Sequence, residues 1–329
     1  MTESFLSNIH QALNARTHLV HPPHNTAFRL FNGFTEGDKR YVIDLFGRTA
    51  VIHDYSVQSD NPTHRALAEI LQSALPFLSA AVLKPRKSTD ARTRNGVLLF
   101  GDRPDGRIVE HEVKYALDIT MNQDASFYID TRNLRQWVLA HLSGKRVLNT
   151  FAYTGSIGVA ALSAGAEVVQ TDLNRTFLNL AKQSYSMNGF PIHRRQFISG
   201  DFFVVMKQLS RQQQQFDCVI LDPPFFSKTE RGTVDIEQNM TRLINKVRPI
   251  VADGGHIIAV NNAIYVSGKE YIDNLQNLCV DGHVSIESII DIPEDCTGYP
   301  STRKTQSLTD PAPFNHGTKI AVLGITRKP

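Results

Sequence analysis

The 329-residue chain lacks several features that define whole classes of protein. Its three cysteines, Cys218, Cys279 and Cys296, are too few and too scattered for a disulfide framework or a thiolate metal site. No apolar run approaches the 18 residues of a membrane span, and the first residues lack the apolar core of a signal peptide. These absences favour a reducing, cytoplasmic setting, with no membrane partner.

Signature motifs of other enzyme classes are also missing. No HExxH, Walker A lysine or GxSxG is present, so hydrolase and kinase hypotheses lack support. His18, His21 and His24 recur every three residues, but two prolines intervene and no cysteine or carboxylate joins them. The sequence therefore predicts no metal site.

The charge balance is mildly basic, at a net +3 and a pI near 8.7. Such a balance permits a polyanionic partner without requiring one. One basic run is compatible with phosphate contacts, although solvated loop charge is the simpler explanation. Its members are Lys84, Arg86, Lys87, Arg92 and Arg94.

The chain is long enough for about two domains, and its patterning changes along its length. Residues 1–25 are predicted to form an N-terminal arm with a short helix. Residues 26–115 alternate strands with one helix at 63–76, which predicts a small α+β domain. Residues 116–329 alternate apolar strands with helices, which is typical of a parallel sheet that is buried on both faces.

The strands of this last segment are predicted at 147–151, 167–172, 195–201, 216–222, 256–262, 283–292 and 318–325. Its helices are predicted to start near 130 and to cover 156–164, 175–188, 202–211, 233–250 and 268–279.

The first strand-to-helix turn, from Asn149 to Gly158, lies where α/β folds bind nucleotides. Its small residues let a ligand approach the backbone. Tyr153 occupies a position where a dinucleotide fingerprint requires glycine, so pyrophosphate binding is disfavoured. Tight helix–strand packing is the alternative explanation for Gly155 and Gly158.

Two acidic residues follow the next two strands. Asp172 suits the ribose hydroxyls of an adenosine, or else the cap of the helix that begins near Arg175. Asp201 and Phe202 suit the adenine amine and ring, or else Asp201 is a cap.

The sharpest motif is Asp222-Pro223-Pro224-Phe225-Phe226, which follows an apolar strand. The prolines fix a loop that lacks N–H donors, so carbonyl oxygens and Asp222 face a ligand as acceptors. Phe225 or Phe226 can stack on a flat ring. This combination suits a nucleobase that is taken out of its stack, although a proline-stiffened turn with core phenylalanines is the alternative.

Other polar residues flank these motifs. Asn261 and Asn262 end the fifth strand, where they suit a base edge or a turn equally well. Arg132 or Arg135 is predicted to pair with a ligand carboxylate, or else to lie on a solvated helix face.

Together these motifs resemble class I S-adenosylmethionine-dependent methyltransferases. More narrowly, the chain resembles the bacterial 23S ribosomal RNA methyltransferases that modify cytosine C5 or guanine N7. The resemblance covers most of residues 28–329. It is carried by residues 127–132, 147–155 and 222–225, together with Asp172 and Asp201.

The resemblance implies a Rossmann-like seven-stranded sheet, a bound S-adenosyl-L-methionine and a nucleic-acid base as acceptor. It places Asp172 on the ribose, Asp201 near adenine and the loop from Asn149 to Gly155 along the methionine part. The implied cofactor-binding residues are Tyr128, Arg132, Asn149, Phe151, Tyr153, Thr154, Gly155, Asp172, Asp201 and Phe202. The implied catalytic residues are Asp222, Pro223, Phe225 and Asn262.

The resemblance also bears on the atom that is methylated. Cytosine C5 chemistry needs a thiolate that adds to C6. The cytosine members carry Ser-Cys at the fifth strand's end, whereas this chain has Asn261-Asn262, as the guanine-N7 members do. Cys296 is the only cysteine predicted in a loop and is a poor candidate nucleophile.

We therefore expect methyl transfer to a nitrogen of an RNA base, with guanine N7 favoured over cytosine C5 and ribosomal RNA the expected partner. Only about 25 residues precede the central module, where some relatives carry a PUA-type RNA-binding domain. A small-molecule or protein methyltransferase, and a binding module whose catalysis has decayed, therefore stay as alternatives. The sequence leaves the oligomeric state, monomer or homodimer, open.

Overall fold

The computed structural model describes residues 2–57 and 60–327. The chain divides into two compact units, of which the first comprises Met1–Asp130 and Pro293–Gln306 and the second comprises Thr131–Ile292 and Ser307–Pro329. The first unit thus extends past the predicted boundary at 115 and also includes Pro293–Gln306, a segment from near the end of the chain. Local sequence could not indicate this inclusion, because it depends on contacts more than 250 residues apart in the chain.

The first unit is built on a five-stranded sheet with a separate hairpin. The sheet order is β1-β2-β3-β4-β5, and only β3 and β4 are parallel. The strands are β1 (Ala27–Asn32), β2 (Tyr41–Phe46), β3 (Thr49–Asp54), β4 (Ala80–Pro85), β5 (Val97–Phe100), β6 (Arg107–Glu110) and β7 (Val113–Ala116). The helices are α1 (Glu3–Ala15), α2 (Gly33–Glu36), α3 (Asn61–Ala74), α4 (Ala91–Asn95) and a short late helix, Glu294–Thr297.

The predicted N-terminal arm contains a helix that belongs to this unit's core. Phe5, Ile9 and Leu13 recur every four residues along α1 and are buried with strand residues such as Phe31. The helix therefore packs into the core of the first unit, whereas the polar composition of residues 1–25 predicts an arm.

The second unit contains a seven-stranded sheet in the order β10-β9-β8-β11-β14-β16-β15. Its strands are β8 (Arg146–Thr150), β9 (Glu167–Asp172), β10 (Phe197–Ser199), β11 (Phe216–Leu221), β14 (Val251–Asn261), β15 (Val284–Ile289) and β16 (Lys319–Ile325). A two-stranded hairpin is formed by β12 (Phe226–Thr229) and β13 (Gly232–Asp235). The helices are α5 (Arg132–His141), α6 (Ser156–Ser163), α7 (Arg175–Met187), α8 (Phe202–Arg211), α9 (Met240–Val247) and α10 (Gly268–Leu278).

Five neighbouring strands of this sheet, β8, β9, β10, β11 and β14, are parallel, as predicted. By contrast, β16 lies antiparallel between β14 and β15, so the predicted parallel arrangement ends at β14. Whether a strand runs parallel or antiparallel depends on the strands with which it pairs. The apolar run at 319–325 does not indicate this orientation.

The predicted helix at 233–250 is also corrected. Its first three residues instead belong to the second strand of the hairpin, in which a tight turn at 230–231 joins strands that contain Phe226, Thr229, Thr233 and Val234, residue types with high strand propensity. Helical spacing of buried apolar residues begins only at Met240. Among the described residues no helix is long and apolar enough to cross a membrane.

Candidate cofactor and substrate site

The carboxyl ends of the five parallel strands lie at one edge of the second unit's sheet. This carboxyl edge is where open α/β sheets bind ligands. The loops that begin there contain most of the residues predicted to be functional. They are residues 151–155 after β8, Asp172 at the end of β9, Asp201 after β10, 222–225 after β11 and Asn262 after β14.

The loop after β8 has a strained backbone. Phe151 and Tyr153 both have φ near +51°, and Gly155 has φ +77°. Positive φ is rare for aromatic residues and persists only where surrounding contacts impose it. Here the backbone N–H of Tyr153 donates to Asp172 Oδ2 at 2.8 Å, and that of Ala152 donates to the Thr171 carbonyl at 2.9 Å. The loop is therefore fixed in one shape, as a ligand-binding loop needs.

Asp172 connects this loop to the following helix. Its Oδ1 accepts the Asn174 backbone N–H at 2.8 Å, while Oδ2 accepts that of Tyr153. Each carboxylate oxygen has two acceptor sites, so both oxygens can still accept a ribose hydroxyl. Burial raises the pKa of Asp172 above its usual value. The alternative of a helix cap is wrong, because Asn174 caps α7 by accepting from Thr176.

Gly155 and Gly158 face Gln170 of β9. A Cβ atom on either glycine would lie 2.6 Å from the Gln170 side chain. Gln170 in turn accepts from Asn149 Nδ2 at 3.1 Å and donates to the Tyr185 hydroxyl at 3.1 Å. This geometry supports the packing explanation for the two glycines. Asn149 is 1% exposed and lies beneath the loop, where it orients Gln170.

Asp201 caps a helix, which was the alternative to its predicted role. Its Oδ1 accepts from the Val204 N–H at 3.1 Å, and its Oδ2 accepts the Thr229 hydroxyl at 2.5 Å. Phe202 is 7% exposed and stacks on Phe151, with ring centroids 4.6 Å apart. The Phe202 ring thus supports the strained loop, and the Asp201 carboxylate ties the β12–β13 hairpin to the sheet edge.

The proline loop after β11 presents an exposed aromatic ring beside a carboxylate. Asp222 is half-buried, Pro223 is buried, and Phe225 is 45% exposed. The Phe225 carbonyl accepts the Ile236 N–H at 3.3 Å, which connects this loop to the end of the hairpin. The next ring, Phe226, is 57% exposed. These phenylalanines are therefore surface residues, and the alternative of core phenylalanines is wrong.

The two asparagines after β14 differ in their surroundings. Asn261 is buried; its Nδ2 donates to the Ile236 carbonyl at 3.2 Å, and its Oδ1 accepts from Ala263. Asn261 therefore shapes the turn and connects it to the hairpin. Asn262 is exposed at the edge, where its amide can meet a ligand.

Sequence reasoning missed Lys319, the first residue of β16. Its buried ammonium donates to the carbonyls of Ala263 at 2.8 Å, Val266 at 3.1 Å and Gly317 at 2.6 Å. Burial lowers the pKa of Lys319 to about 8. Three bonds from one cation fix the loop that carries Asn262. The only signal in the sequence was a lysine that leads directly into an apolar strand.

Two of the predicted cofactor contacts belong to different units of the chain. Tyr128 belongs to the first unit, is 44% exposed and donates from its hydroxyl to Asp124 Oδ2 at 3.0 Å. Arg132 begins α5 of the second unit. Arg135 is fully buried and donates to the Thr131 hydroxyl at 2.6 Å, so the alternative of a solvated helix face is wrong for it.

The cysteines are poorly suited to nucleophilic chemistry. Cys218 is buried within β11, and burial raises its pKa to about 12. Cys279 is partly buried, and its pKa is also raised by burial. Cys296 is buried in a short helix of the first unit, which corrects its prediction as a loop residue. Over the residues described, no cluster of His, Cys, Asp or Glu is arranged to hold a metal ion.

The basic run at 84–94 is only partly solvated. The Lys84 ammonium is buried and donates to the carbonyls of Asn95 at 2.6 Å and Asn122 at 2.8 Å. Arg86 pairs with Asp124 at 3.0 Å. Two of its five charges therefore serve the first unit's own structure.

The chain is similar to known proteins over most of its length. The family model described as S-adenosylmethionine-dependent methyltransferase matches residues 93–291, more than half of the chain. Ribosomal RNA large subunit methyltransferase I of Aeromonas salmonicida is 32% identical over 253 residues, which make up 73% of this chain and 63% of that protein. The protein of the same name from Aliivibrio fischeri is 28% identical over 297 residues, or 87% of this chain and 73% of its own length.

A solved structure confirms the predicted fold class. The crystal structure of SMU.776 complexed with SAH has a TM-score of 0.83 at 21% identity, over 98% of this chain and 81% of that chain. At this identity the likeness speaks for the fold alone. The chain spans less than two thirds of the length of the Aeromonas salmonicida relative.

Proposed function

Because the chain belongs to the S-adenosylmethionine-dependent methyltransferase family, we propose that it transfers a methyl group from this cofactor to a nitrogen of an RNA base, with guanine N7 as the preferred atom. RNA enters the proposal through the ribosomal RNA methyltransferases to which the chain is similar. The observation that carries the proposal is the carboxyl edge, where a preformed acceptor for ribose at the end of β9 and an exposed aromatic loop after β11 lie on either side of β8.

The cofactor residues fit S-adenosylmethionine. Asp172 keeps free acceptor sites for the two ribose hydroxyls, and the fixed loop from Phe151 to Gly155 is suited to lie along the methionine part. Arg132, Thr154 and Asp201 complete the proposed contacts within the second unit, with Asn149 and Phe202 acting from beneath the loop. When bound, the cofactor supplies an electrophilic methyl carbon on a sulfonium, and its carbon–sulfur bond breaks as the acceptor lone pair forms the new bond.

The acceptor residues hold the base. Phe225 offers a ring for stacking, while the Asp222 carboxylate and the Pro223 carbonyl can accept the N–H hydrogens of guanine, which lie on the edge away from N7. Asn262 can donate or accept at the same edge. Guanine N7 carries a free lone pair and needs no general base, so catalysis by these residues consists mainly of alignment.

The cysteines favour a nitrogen over cytosine C5. A thiol with a pKa of about 12, as in Cys218, is ionised to roughly one part in 10⁵ at pH 7. Cys296 is fully buried, and the loop after β14 carries asparagines instead of a cysteine. A nitrogen acceptor requires no such nucleophile.

Transfer of tritium from labelled S-adenosylmethionine to fractionated RNA, protein and small molecules tests this proposal. We expect label in the RNA fraction, and mass analysis of its nucleosides should identify a base methylated on nitrogen. Label confined to protein or small molecules would contradict the RNA substrate, and 5-methylcytidine would contradict the nitrogen acceptor. A decayed enzyme would label none of the fractions.

A further inference from the structure

The second unit carries a concentrated positive charge that the proposed cofactor and acceptor residues do not use. Between residues 175 and 211 the only carboxylate is Asp201, whereas six side chains are basic, for a net +5. The whole chain carries only +3, so its remaining residues are net acidic. The six side chains form what we call the basic edge: Arg175, Lys182, Arg194, Arg195, Lys207 and Arg211.

The basic edge is accessible and its charge is not neutralised. Five of its members are exposed, and Lys182 is half-buried, with its ammonium 5.2 Å from the centre of the Phe197 ring. In the described part of the chain, none of the six forms an ion pair. This distinguishes the basic edge from the run at 84–94, where Arg86 is paired and Lys84 is buried.

These side chains surround one end of the sheet. β10 is the edge strand, Arg194 and Arg195 directly precede it, and α7 and α8 flank it in sequence. The order of strands reverses direction between β10 and β11, so right-handed crossovers place α7 and α8 on opposite faces of the sheet. α7 alone, with 13 residues, is about 20 Å long.

This shape favours an extended polyanion. The charges spread too far for one phosphate group, and they lie on helices at opposite faces of the sheet, which a flat bilayer cannot contact at once. A single-stranded nucleic acid can follow such a surface through its phosphates. Arg175 lies three residues after Asp172, so one end of the surface meets the carboxyl edge.

We propose that the basic edge binds the phosphate backbone of the RNA substrate and guides it to the carboxyl edge. This inference rests on the proposed function, because it takes RNA as the substrate. It adds a docking surface that is separate from the cofactor and acceptor residues, with the ribose–phosphate backbone as its ligand.

The test compares two double variants that remove the same charge. Arg194→Gln/Arg195→Gln alters the basic edge, whereas Lys145→Gln/Lys246→Gln removes two exposed lysines elsewhere in the same unit that form no ion pair in the described residues. Affinity for protein-free large-subunit ribosomal RNA is measured between about 50 and 200 mM salt. Thermal unfolding and S-adenosylmethionine affinity verify that both proteins are folded.

Each phosphate contact with a single strand contributes about 0.7 to the slope of log Kd against log salt concentration. For the basic-edge variant, which removes two such contacts, we expect this slope to fall by about 1.4. Near 0.1 M salt this corresponds to roughly 25-fold weaker binding. The matched control should bind as the wild type does. An unchanged slope, or an equal loss in both variants, would overturn the docking surface. So would wild-type binding to anionic phospholipid vesicles but not to RNA. Wild-type protein that binds RNA through this edge but methylates none would instead contradict the proposed function.

Discussion

The two halves of the carboxyl edge are built differently. In the half that we propose binds the cofactor, here called the cofactor half, which follows β8, β9 and β10, the carboxylates of Asp172 and Asp201 each accept two hydrogen bonds from the protein itself. In the acceptor half, which follows β11 and β14, the rings of Phe225 and Phe226 and the amide of Asn262 are exposed.

This difference indicates two kinds of ligand. A preorganised half suits a small ligand of fixed shape, because little rearrangement is needed on binding. An exposed aromatic half suits a flat group that is delivered by a larger molecule, which itself excludes water when it docks. Substitutions in the two halves should therefore have separable effects on cofactor affinity and on methyl transfer.

The largest effect is expected from Asp222→Ala in the acceptor half. Loss of the carboxylate should lower the rate of methyl transfer by about 10²-fold, since the base loses an aligned acceptor. Affinity for S-adenosylmethionine, measured by calorimetry, should stay within a few-fold. Asp273→Ala, which removes an exposed carboxylate from α10, is the control. Full activity of Asp222→Ala would show that the acceptor half is placed wrongly.

Asp172→Asn should separate the halves in the opposite direction. The amide loses the charge and replaces one acceptor oxygen with an N–H donor that faces a backbone N–H, so cofactor affinity should fall about 10- to 100-fold. In the wild type, affinity should fall as the pH drops below the raised pKa of Asp172, and it should level off once the carboxyl is protonated, because the protonated form is the weaker acceptor. In Asp172→Asn this fall in cofactor affinity at low pH should be absent. If the fall persisted in the variant, another titrating group would be its cause.

Gly158→Ala tests why the cofactor half needs glycine. The added methyl meets Gln170 at 2.6 Å, and we expect a loss of about 1–3 kcal/mol in the free energy of unfolding, measured in denaturant. Because Gln170→Ala removes the clash but also breaks the bonds to Asn149 and Tyr185, the double variant Gly158→Ala/Gln170→Ala is compared with Gln170→Ala alone, and Gly158→Ala should cost little further stability or cofactor affinity in that background. If stability held there while cofactor affinity fell, the glycine would serve the ligand and not the packing.

Thr229→Val should give the smallest change. It removes the hydroxyl that donates a hydrogen bond to Asp201 and loosens the hairpin that begins with Phe226. We expect the free energy of unfolding to fall by about 1 kcal/mol. We expect KM for RNA to rise a few-fold while cofactor affinity holds. Thr176→Val, on the exposed start of α7, is the control. If cofactor affinity changed while KM for RNA did not, the hairpin would act on cofactor binding and not on RNA binding.

Much of the edge was predictable because its signals are local. Apolar strands followed by polar residues locate the carboxyl ends of a parallel sheet, and α8 was predicted with its observed bounds. The motif at 222–226 marks an exposed loop by its prolines.

The remaining features depend on partners that are distant in sequence. The glycine at 158 is explained by Gln170, the role of Lys319 by carbonyls more than 50 residues earlier, and the reversal of β16 by pairing with β14. The hairpin was missed because helical and strand patterns compete over residues 226–247. No local pattern reports such contacts, so these features were visible only in three dimensions.

The location of the cofactor site is tested most directly by hydrogen exchange of backbone amides with and without saturating S-adenosylmethionine. We predict that protection increases in residues 151–155, 172–174 and 200–204, with little change in the first unit's sheet. Absence of new protection at the ends of β8, β9 and β10, or protection concentrated elsewhere, would contradict the account.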